Sequence, residues 1–449
     1  MFAILSETVT QPIEPASARA ARKGLSPLPR GFDDWFARCV TRNPGRRYQD
    51  ADAAFSALRP VLRHRRSGRV TTLAATPLEL GFLPSLERDV WLEPEPDCDP
   101  EHNHLASPGD ELARHQAHAE ANPLSIASCR ALLSLARRTG DLDLTWRAAT
   151  LLVLGGCAND QERLFASTPI GLAASTGPLD DRLWREVAHP RLDSYVASAM
   201  AVIGPALARA TAMSPRADAP RPDPSLRVDP STSESQLARA FRHTVQLLGI
   251  QEPRLYLQPL VSAPIVAVHG DPMACIIGKP LHVRHPQAEV PFILAKYLAG
   301  LRPELYVPLF IGSASGLGTL ISALSRLSTG VLSGAEPLVA TVARSIRDAM
   351  RPGELSLLKS TLATLKQHRD TVDLAGFIRA AELTASRAAL VLSGDLGGAC
   401  RTVLRGPARG LPAEEHAKEL LSFWVSDTHG RIRALRANSP SPIAPTSRG

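Results

Sequence analysis

The chain has 449 residues, which is long enough for more than one domain of ordinary size. Hydrophobic residues make up 44% of it and charged residues 21%, a balance that is typical of globular proteins and excludes a wholly disordered chain. The formal net charge of +7 comes from 51 basic and 44 acidic residues that are scattered along the sequence. Because they form no strongly basic patch, we expect no nucleic-acid partner.

The cysteine pattern and the first residues indicate the compartment. The six cysteines are widely spaced and include no Cys-x-x-Cys pair, and the start MFAILSETVTQPIEP lacks the basic and apolar segments of a signal peptide. These features predict a cytoplasmic protein with reduced thiols. The longest uncharged stretch, residues 305–324, contains Pro308 and three glycines, so we expect no stable membrane span.

Two proline-rich polar stretches divide the chain, because such a composition buries too little apolar surface to offset chain entropy. We therefore predict six parts: an N-terminal piece at 1–62, a linker at 63–108, a helical region at 109–213, a second linker at 214–233, a C-terminal domain at 234–437 and a disordered tail at 438–449.

Helical periodicity dominates the folded parts. The spacing of Cys129, Leu132, Leu133 and Ala136 predicts one helix, and residues 142–154 predict the next, an arrangement similar to tetratricopeptide-like repeats or to an irregular helical bundle. After a helix that ends at Gly249, the runs RLYLQPL, PIVAVHG and ACIIGKPL predict short strands in a small antiparallel sheet. The predicted fold class is mainly α, with a helical repeat or bundle before a C-terminal α+β domain.

The N-terminal piece contains the run LPRGFDDWFARCVTRNPGRRYQDADAAFSAL. Its Trp35, Cys39, Pro44 and Arg47 follow the pattern Trp, Cys, then Asp or Asn-Pro-x-x-Arg, so this piece resembles the last two helices of the C-lobe of a bacterial serine/threonine protein kinase. The resemblance implies structural roles for these four residues. In that family the arginine pairs with the glutamate of an Ala-Pro-Glu segment, and this chain has no such segment before Arg47.

The kinase elements that hold ATP are missing from the sequence. The glycine-rich loop, the lysine, the His-Arg-Asp loop and the Asp-Phe-Gly motif would all precede residue 1, and phosphoryl transfer needs them. The triplet His368-Arg369-Asp370 is a coincidence, since Ala375 stands where the metal-binding asparagine belongs. We therefore expect no catalytic residue and no cofactor.

The C-terminal domain carries a second resemblance, over residues 237–395. The segments LGIQEPRLYLQPLVSAPIVAVHG, ACIIGKPL, EVPFILAKYLAGLRPE and AAELTASRAALVLSGD occur in that order. This order is similar to that of HtpX-like zinc metallopeptidases, in which a helix and a small sheet precede a helix with the His-Glu-x-x-His motif and a distant glutamate completes the metal site.

In the same alignment, other residues stand where the family has its metal ligands. It sets Lys296 and Gly300 at the positions of the two histidines and Tyr297 at that of the general base, while Glu382 falls on the third ligand and Ser386 on an aspartate four residues later. Zinc needs the two imidazoles and a further ligand, and a lysine ammonium repels a divalent cation. The resemblance thus implies a pseudo-peptidase with no metal, in which those four positions are vestigial.

Two further candidates for metal binding have a structural role as the favoured interpretation. Glu382 is expected to be a polar residue near a helix surface or the partner of an arginine such as Arg387. A loose group of metal-ligand residues lies in or near the acidic first linker, where a solvated linker is the favoured interpretation: Cys98, His102, His104, His115 and His118.

The sequence favours a non-catalytic interaction or regulatory protein with protein partners. In this interpretation the chain is the sensory or scaffolding part of a bacterial serine/threonine kinase whose catalytic core is missing. The alternative is the C-terminal fragment of an active kinase whose ATP-binding lobe is encoded upstream. A residual zinc metallopeptidase is the third and weakest possibility.

Overall fold

A computed structural model describes residues 15–22, 28–41, 44–50, 53–54, 56–58, 61, 108–167, 177–213, 220–279, 281, 287–331, 333–368, 372–406 and 410–438. These residues fall into two compact units that divide between Glu79 and Leu80. Most of the predicted first linker and the predicted tail beyond Asn438 lie outside the described residues, as do Cys98, His102 and His104.

The first unit contains the kinase-like residues. Helices α1 (Ala16–Arg22) and α2 (Phe32–Val40) are followed by a 3-10 turn at Pro44–Arg46. The indole Nε1 of Trp35 donates a hydrogen bond to the carbonyl of Ala54 at 2.8 Å, which ties α2 to the following segment. None of the nine residues of α2 is fully buried.

The second unit begins with the predicted helices. They are α3 (Pro108–Ala121), α4 (Ile126–Thr139), α5 (Leu142–Leu154), α6 (Asp160–Ser167), α7 (Asp181–Val187) and α8 (Ser194–Met213). Gly140 ends α4 with a φ of 75°, a conformation that favours glycine, and the Asp141 carboxylate then caps α5 by accepting from the Leu144 N–H. Gly140 and Asp141 therefore determine the short turn between α4 and α5.

A small sheet follows. A 3-10 turn at Pro224–Leu226 leads to β1 (Arg227–Val228), α9 (Gln236–Leu248), β2 (Arg254–Leu257), β3 (Ile265–Val268) and β4 (Ala274–Ile277). The spatial order is β1-β2-β4-β3, in which β2 and β4 are parallel and the other two pairs are antiparallel. The mainly helical fold class is confirmed, but the sheet is mixed rather than antiparallel, because β3 forms at the edge and β4, the next strand along the chain, lies between β2 and β3 and runs parallel to β2. The predicted second linker contributes β1.

Helices complete the unit. After a 3-10 turn at Gln287–Glu289 come α10 (Val290–Ala299), α11 (Pro303–Ile311), α12 (Ala314–Thr329), α13 (Pro337–Ala349), α14 (Glu354–His368), α15 (Leu374–Ser393), α16 (Leu396–Arg405), α17 (Ala413–Val425) and α18 (Asp427–Ala437). His368, the first residue of the kinase-like triplet, is the last residue of α14 and stacks on Tyr195 with ring centroids 4.4 Å apart.

The largest hydrophobic core joins parts that the sequence assigns to separate regions. Leu132, Leu144 and Leu152 from the early helices belong to the same buried cluster as Leu420 and Trp424 from α17. The structure therefore describes the predicted helical region and the predicted C-terminal domain as one compact unit. Their division by composition alone fails because α3 and α5 complete their apolar contacts on α17, far along the chain.

A buried ionic network reinforces this union. The carboxylate of Asp143 on α5 accepts from Arg147 at 2.8 Å and from Arg433 on α18 at 2.9 Å, and all three side chains are buried. Arg147 also donates to the carbonyls of Trp424 and Ser426 at 3.0 and 2.9 Å. One carboxylate thus pairs with two buried guanidinium groups.

The apolar stretch at 305–324 forms no single helix, because Gly312 and Ser313 separate α11 from α12. Another helix, α8, is long and apolar enough to cross a membrane by length and composition, and half of its apolar window is buried in the second unit. Its Met200 and Ile203 belong to a second buried cluster with Tyr306 and Leu324.

We predict that Asp143→Asn strongly destabilises the second unit, because it leaves two buried guanidinium groups without an anionic partner. The expected loss in the free energy of unfolding is about 3 kcal/mol. Asp160→Asn is the matched control, since the side chain of Asp160 is fully exposed and its pair with Arg163 contributes little. Urea unfolding followed by tryptophan fluorescence measures both variants; equal losses would contradict the role of Asp143.

Candidate functional site

A cleft of about 600 Å³ opens beside β3. Strand β3 and its flanks form one wall, α10 and α11 a second, and α15, α16 and α17 a third. Most of the lining is apolar, and the polar or titratable side chains in it are few: His269, Lys296, Tyr297, Tyr306, Glu382, Thr402, Arg405 and His416.

The four positions that the sequence analysis names as vestigial all line this cleft. Lys296, Tyr297 and Gly300 come from α10 and its end, and Glu382 comes from the middle of α15, against which α10 packs. The Nζ atom of Lys296 lies 2.7 Å from Oε1 of Glu382. An ammonium and a carboxylate therefore face each other where the resemblance places a metal.

The surroundings of Glu382 correct the sequence expectation. Its side chain is only 8% exposed rather than near a helix surface, and its ionic partner is Lys296. The predicted partner Arg387 instead pairs with Glu419 on α17 and lies over the ring of Phe423. The spacing of residues along α15 does not show whether the partner of Glu382 is a lysine from α10 or an arginine from α15 itself.

Gly300 keeps the cleft open where α10 ends. A Cβ atom at this position would lie 3.0 Å from Cδ1 of Leu309 and 3.3 Å from the carbonyl oxygen of Tyr297. The Leu309 side chain would therefore have to shift by a few tenths of an ångström to admit even a Cβ atom at this position.

His416 on α17 was missed by the sequence analysis. Its Nε2 atom lies 2.8 Å from Oγ of Ser386, the residue that replaces the family's aspartate. Burial, and after it the nearby charge of Lys296, lowers the pKa of His416 to about 4, so the imidazole is neutral at pH 7. The only signal in the sequence is a histidine on the apolar face of a helix, one turn before Leu420.

A second histidine stands on the β3 wall. Nδ1 of His269 lies 2.6 Å from the Tyr306 hydroxyl, and its ring packs edge-on against Phe310 with centroids 4.1 Å apart. Burial lowers the pKa of His269 and raises that of Tyr306. Both groups are therefore uncharged at neutral pH, and they fix the shape of this end of the cleft.

The donor set does not fit zinc. Among the described residues there is no group of three histidine, cysteine, aspartate or glutamate side chains that could hold a metal ion. Among the described residues that line the cleft, the only carboxylate is already held by an ammonium, which repels a second cation. His115 and His118 lie on α3, half-buried and exposed, and do not join this cleft.

The kinase-like residues lie in the first unit. Trp35 and Cys39 are half-buried on α2, and Pro44 opens the 3-10 turn. The exposed Arg47 donates from Nε to the carbonyl of Thr41 at 2.7 Å. The arginine that pairs with a carboxylate in the kinase family thus closes a local turn here.

No protein-family model, no curated protein and no solved structure matches this chain.

We predict that Lys296→Met destabilises the protein by about 2 kcal/mol, because a largely buried carboxylate then loses its counter-charge; the partial exposure of Lys296 moderates the effect. The double variant Lys296→Met/Glu382→Gln should recover part of this loss, since no charge is left unpaired. Lys359→Met, at an exposed position of α14, is the matched control. Urea unfolding measures all three, and a double variant less stable than Lys296→Met would contradict the pairing.

Proposed function

We propose that this chain is a non-catalytic interaction protein whose cleft receives an extended peptide segment of a partner. The observation that carries the proposal is the open edge of β3 along the cleft. A strand at the edge of a sheet offers unpaired peptide groups to an added strand, and side-chain pockets beside it give selectivity.

The hydrogen-bond pattern identifies which peptide groups face outward. The carbonyl of Pro264 accepts from the Gly278 N–H at 3.0 Å, and Val266 and Val268 lie opposite Ile276 and Ala274. Bonds across an antiparallel pair recur at every second residue. The peptide groups of Ile265 and Ala267 therefore point away from β4, toward the edge.

The walls of the cleft are suited to binding the apolar side chains of a ligand rather than to catalysing a reaction. Apolar groups from α10, α11 and α16 line it, including Ile293, Leu309, Phe310 and Val403, and Phe310 is 40% exposed. Burial of such groups on binding stabilises a complex by about 25 cal/mol per Å². The ion pair of Lys296 with Glu382 leaves neither group poised as a base or a metal ligand.

The kinase-like residues support the further proposal that this interaction protein acts in signalling. Trp35, Cys39, Pro44 and Arg47 support the proposal that the first unit derives from the end of a kinase C-lobe, and the cleft would then be part of its sensory or scaffolding portion. The alternative is the tail of an active kinase encoded upstream. One observation favours it: no residue of α2 is fully buried, and in a complete kinase the apolar side of this helix would pack against the rest of the lobe.

An immunoblot of the native cells, with an antibody against the second unit, separates these two. The scaffold proposal predicts a band that matches a chain of 449 residues. A band larger by the size of a kinase catalytic domain would contradict it and support the alternative.

Substitution at the edge of β3 tests the peptide-binding proposal. The probe is a set of fluorescein-labelled, capped octapeptide pools built from Val, Leu, Thr and Ser, and fluorescence anisotropy gives the Kd. Ala267→Pro removes an outward N–H but no bond to β4, so we expect an unchanged melting temperature and about tenfold weaker binding.

Ala267→Ser, which keeps the N–H, is the matched control and should bind as the unaltered protein does. Val266→Pro removes an N–H that faces β4 and should lower the melting temperature instead. Pools that fail to bind the unaltered chain, or that bind Ala267→Pro equally well, would refute pairing along β3.

A further inference from the structure

The charges of the cleft do not cancel. Of the described residues that line it, Lys296 and Arg405 are cations and Glu382 is the single anion, while the two histidines are neutral at pH 7. Lys296 is held by Glu382 at 2.7 Å. The excess positive charge therefore lies at Arg405, on the wall formed by α16.

Arg405 is only partly neutralised by its neighbours. Its Nη1 atom lies 3.1 Å from Oε2 of Glu289, a fully buried carboxylate at the start of α10. The same carboxylate also accepts from Nε of Arg401 at 2.9 Å. Two guanidinium groups thus share one carboxylate, and the pair retains a net positive charge.

The side chain of Arg405 is accessible to a ligand. It is 53% exposed, and among the described residues its Nε and Nη2 atoms meet no hydrogen-bond partner. A guanidinium offers two parallel N–H donors whose spacing matches the two oxygens of a carboxylate. Because Glu289 holds Arg405 through Nη1, the free edge of the guanidinium is fixed in direction before a ligand arrives.

We infer that the cleft selects a peptide strand that carries an acidic side chain, which pairs with Arg405. The inference rests on the proposed pairing of a peptide with β3. Residues of β3 and its flanks line the cleft, namely Pro264, Ile265, Val266, Ala267 and His269, so a strand paired along β3 passes through the cleft. The carboxylate is accordingly an internal Glu or Asp of a partner protein, flanked by apolar residues that contact the walls.

The test uses the same octapeptide pools, with one position at a time fixed as Glu, Gln or Lys. At one position we expect the Glu pool to bind about tenfold more tightly than the Gln pool, and the Lys pool to bind most weakly. Arg405→Gln should reduce the Glu pool to the affinity of the Gln pool and leave the Gln pool unchanged.

Arg344→Gln is the matched control, because Arg344 is an exposed arginine on α13 that neither contacts Glu289 nor lines the cleft. This variant should keep the preference for Glu. If Gln and Glu pools bind equally at every position, or if Arg344→Gln abolishes the preference as Arg405→Gln does, acidic selection by Arg405 is refuted while peptide binding stands. If no pool binds, the proposed function fails and the inference fails with it.

Discussion

The second unit depends on a single buried carboxylate. Asp143 accepts hydrogen bonds from Arg147 on its own helix and from Arg433, which is 290 residues further along the chain. A buried guanidinium without an anionic partner costs several kcal/mol, so Asp143 stabilises the packing of α18, through Arg433, against α5. The backbone carbonyls at the end of α17 complete the shell of Arg147, and this fixes α17 against α5. Because α17 also carries His416, the same network that unites the unit sets one wall of the cleft.

Helix α10 carries a charged side chain, Lys296, in a largely apolar setting. Its ten residues are apolar apart from Tyr297 and Lys296, and Lys296 lines a cleft instead of facing bulk water. The ammonium is tolerated because Glu382 lies within 2.7 Å, and Glu382 is tolerated at 8% exposure for the same reason. In a metallopeptidase of the kind that this region resembles, a divalent cation would balance the glutamate. Here the ammonium of Lys296 does so. This charge makes the site unsuited to metal, because it repels a second cation.

Local features were predictable from the sequence, and long-range ones were not. The caps at Ser125, Asp141 and Gly249 define helix ends because a side chain or a positive φ acts within a few residues. The three β runs were found for a similar reason. The parallel pairing of β2 with β4 was missed, because periodicity reports which residues form a strand but not which strand lies beside it. The union of the two predicted regions depends on contacts of Arg147 with residues almost 280 positions away, where composition holds no information. The site shows the same division: Lys296, Gly300 and Glu382 line one cleft, but the sequence did not show that two of them pair. His416 lies on a helix outside the segments compared in the sequence analysis.

The combination of an open strand edge and a charge imbalance separates two contributions to binding. Peptide groups on the edge of β3 recognise any extended backbone, so they supply affinity with little selectivity. Apolar walls add affinity in proportion to the area that they bury. Neither distinguishes one extended apolar segment from another, whereas a guanidinium held in direction by Glu289 does, because a ligand without a carboxylate gains nothing there and a basic one is repelled. A protein that recognises partners without transforming them needs this kind of discrimination, and in the proposed function Arg405 provides it, on a helix separate from the one that carries the vestigial lysine.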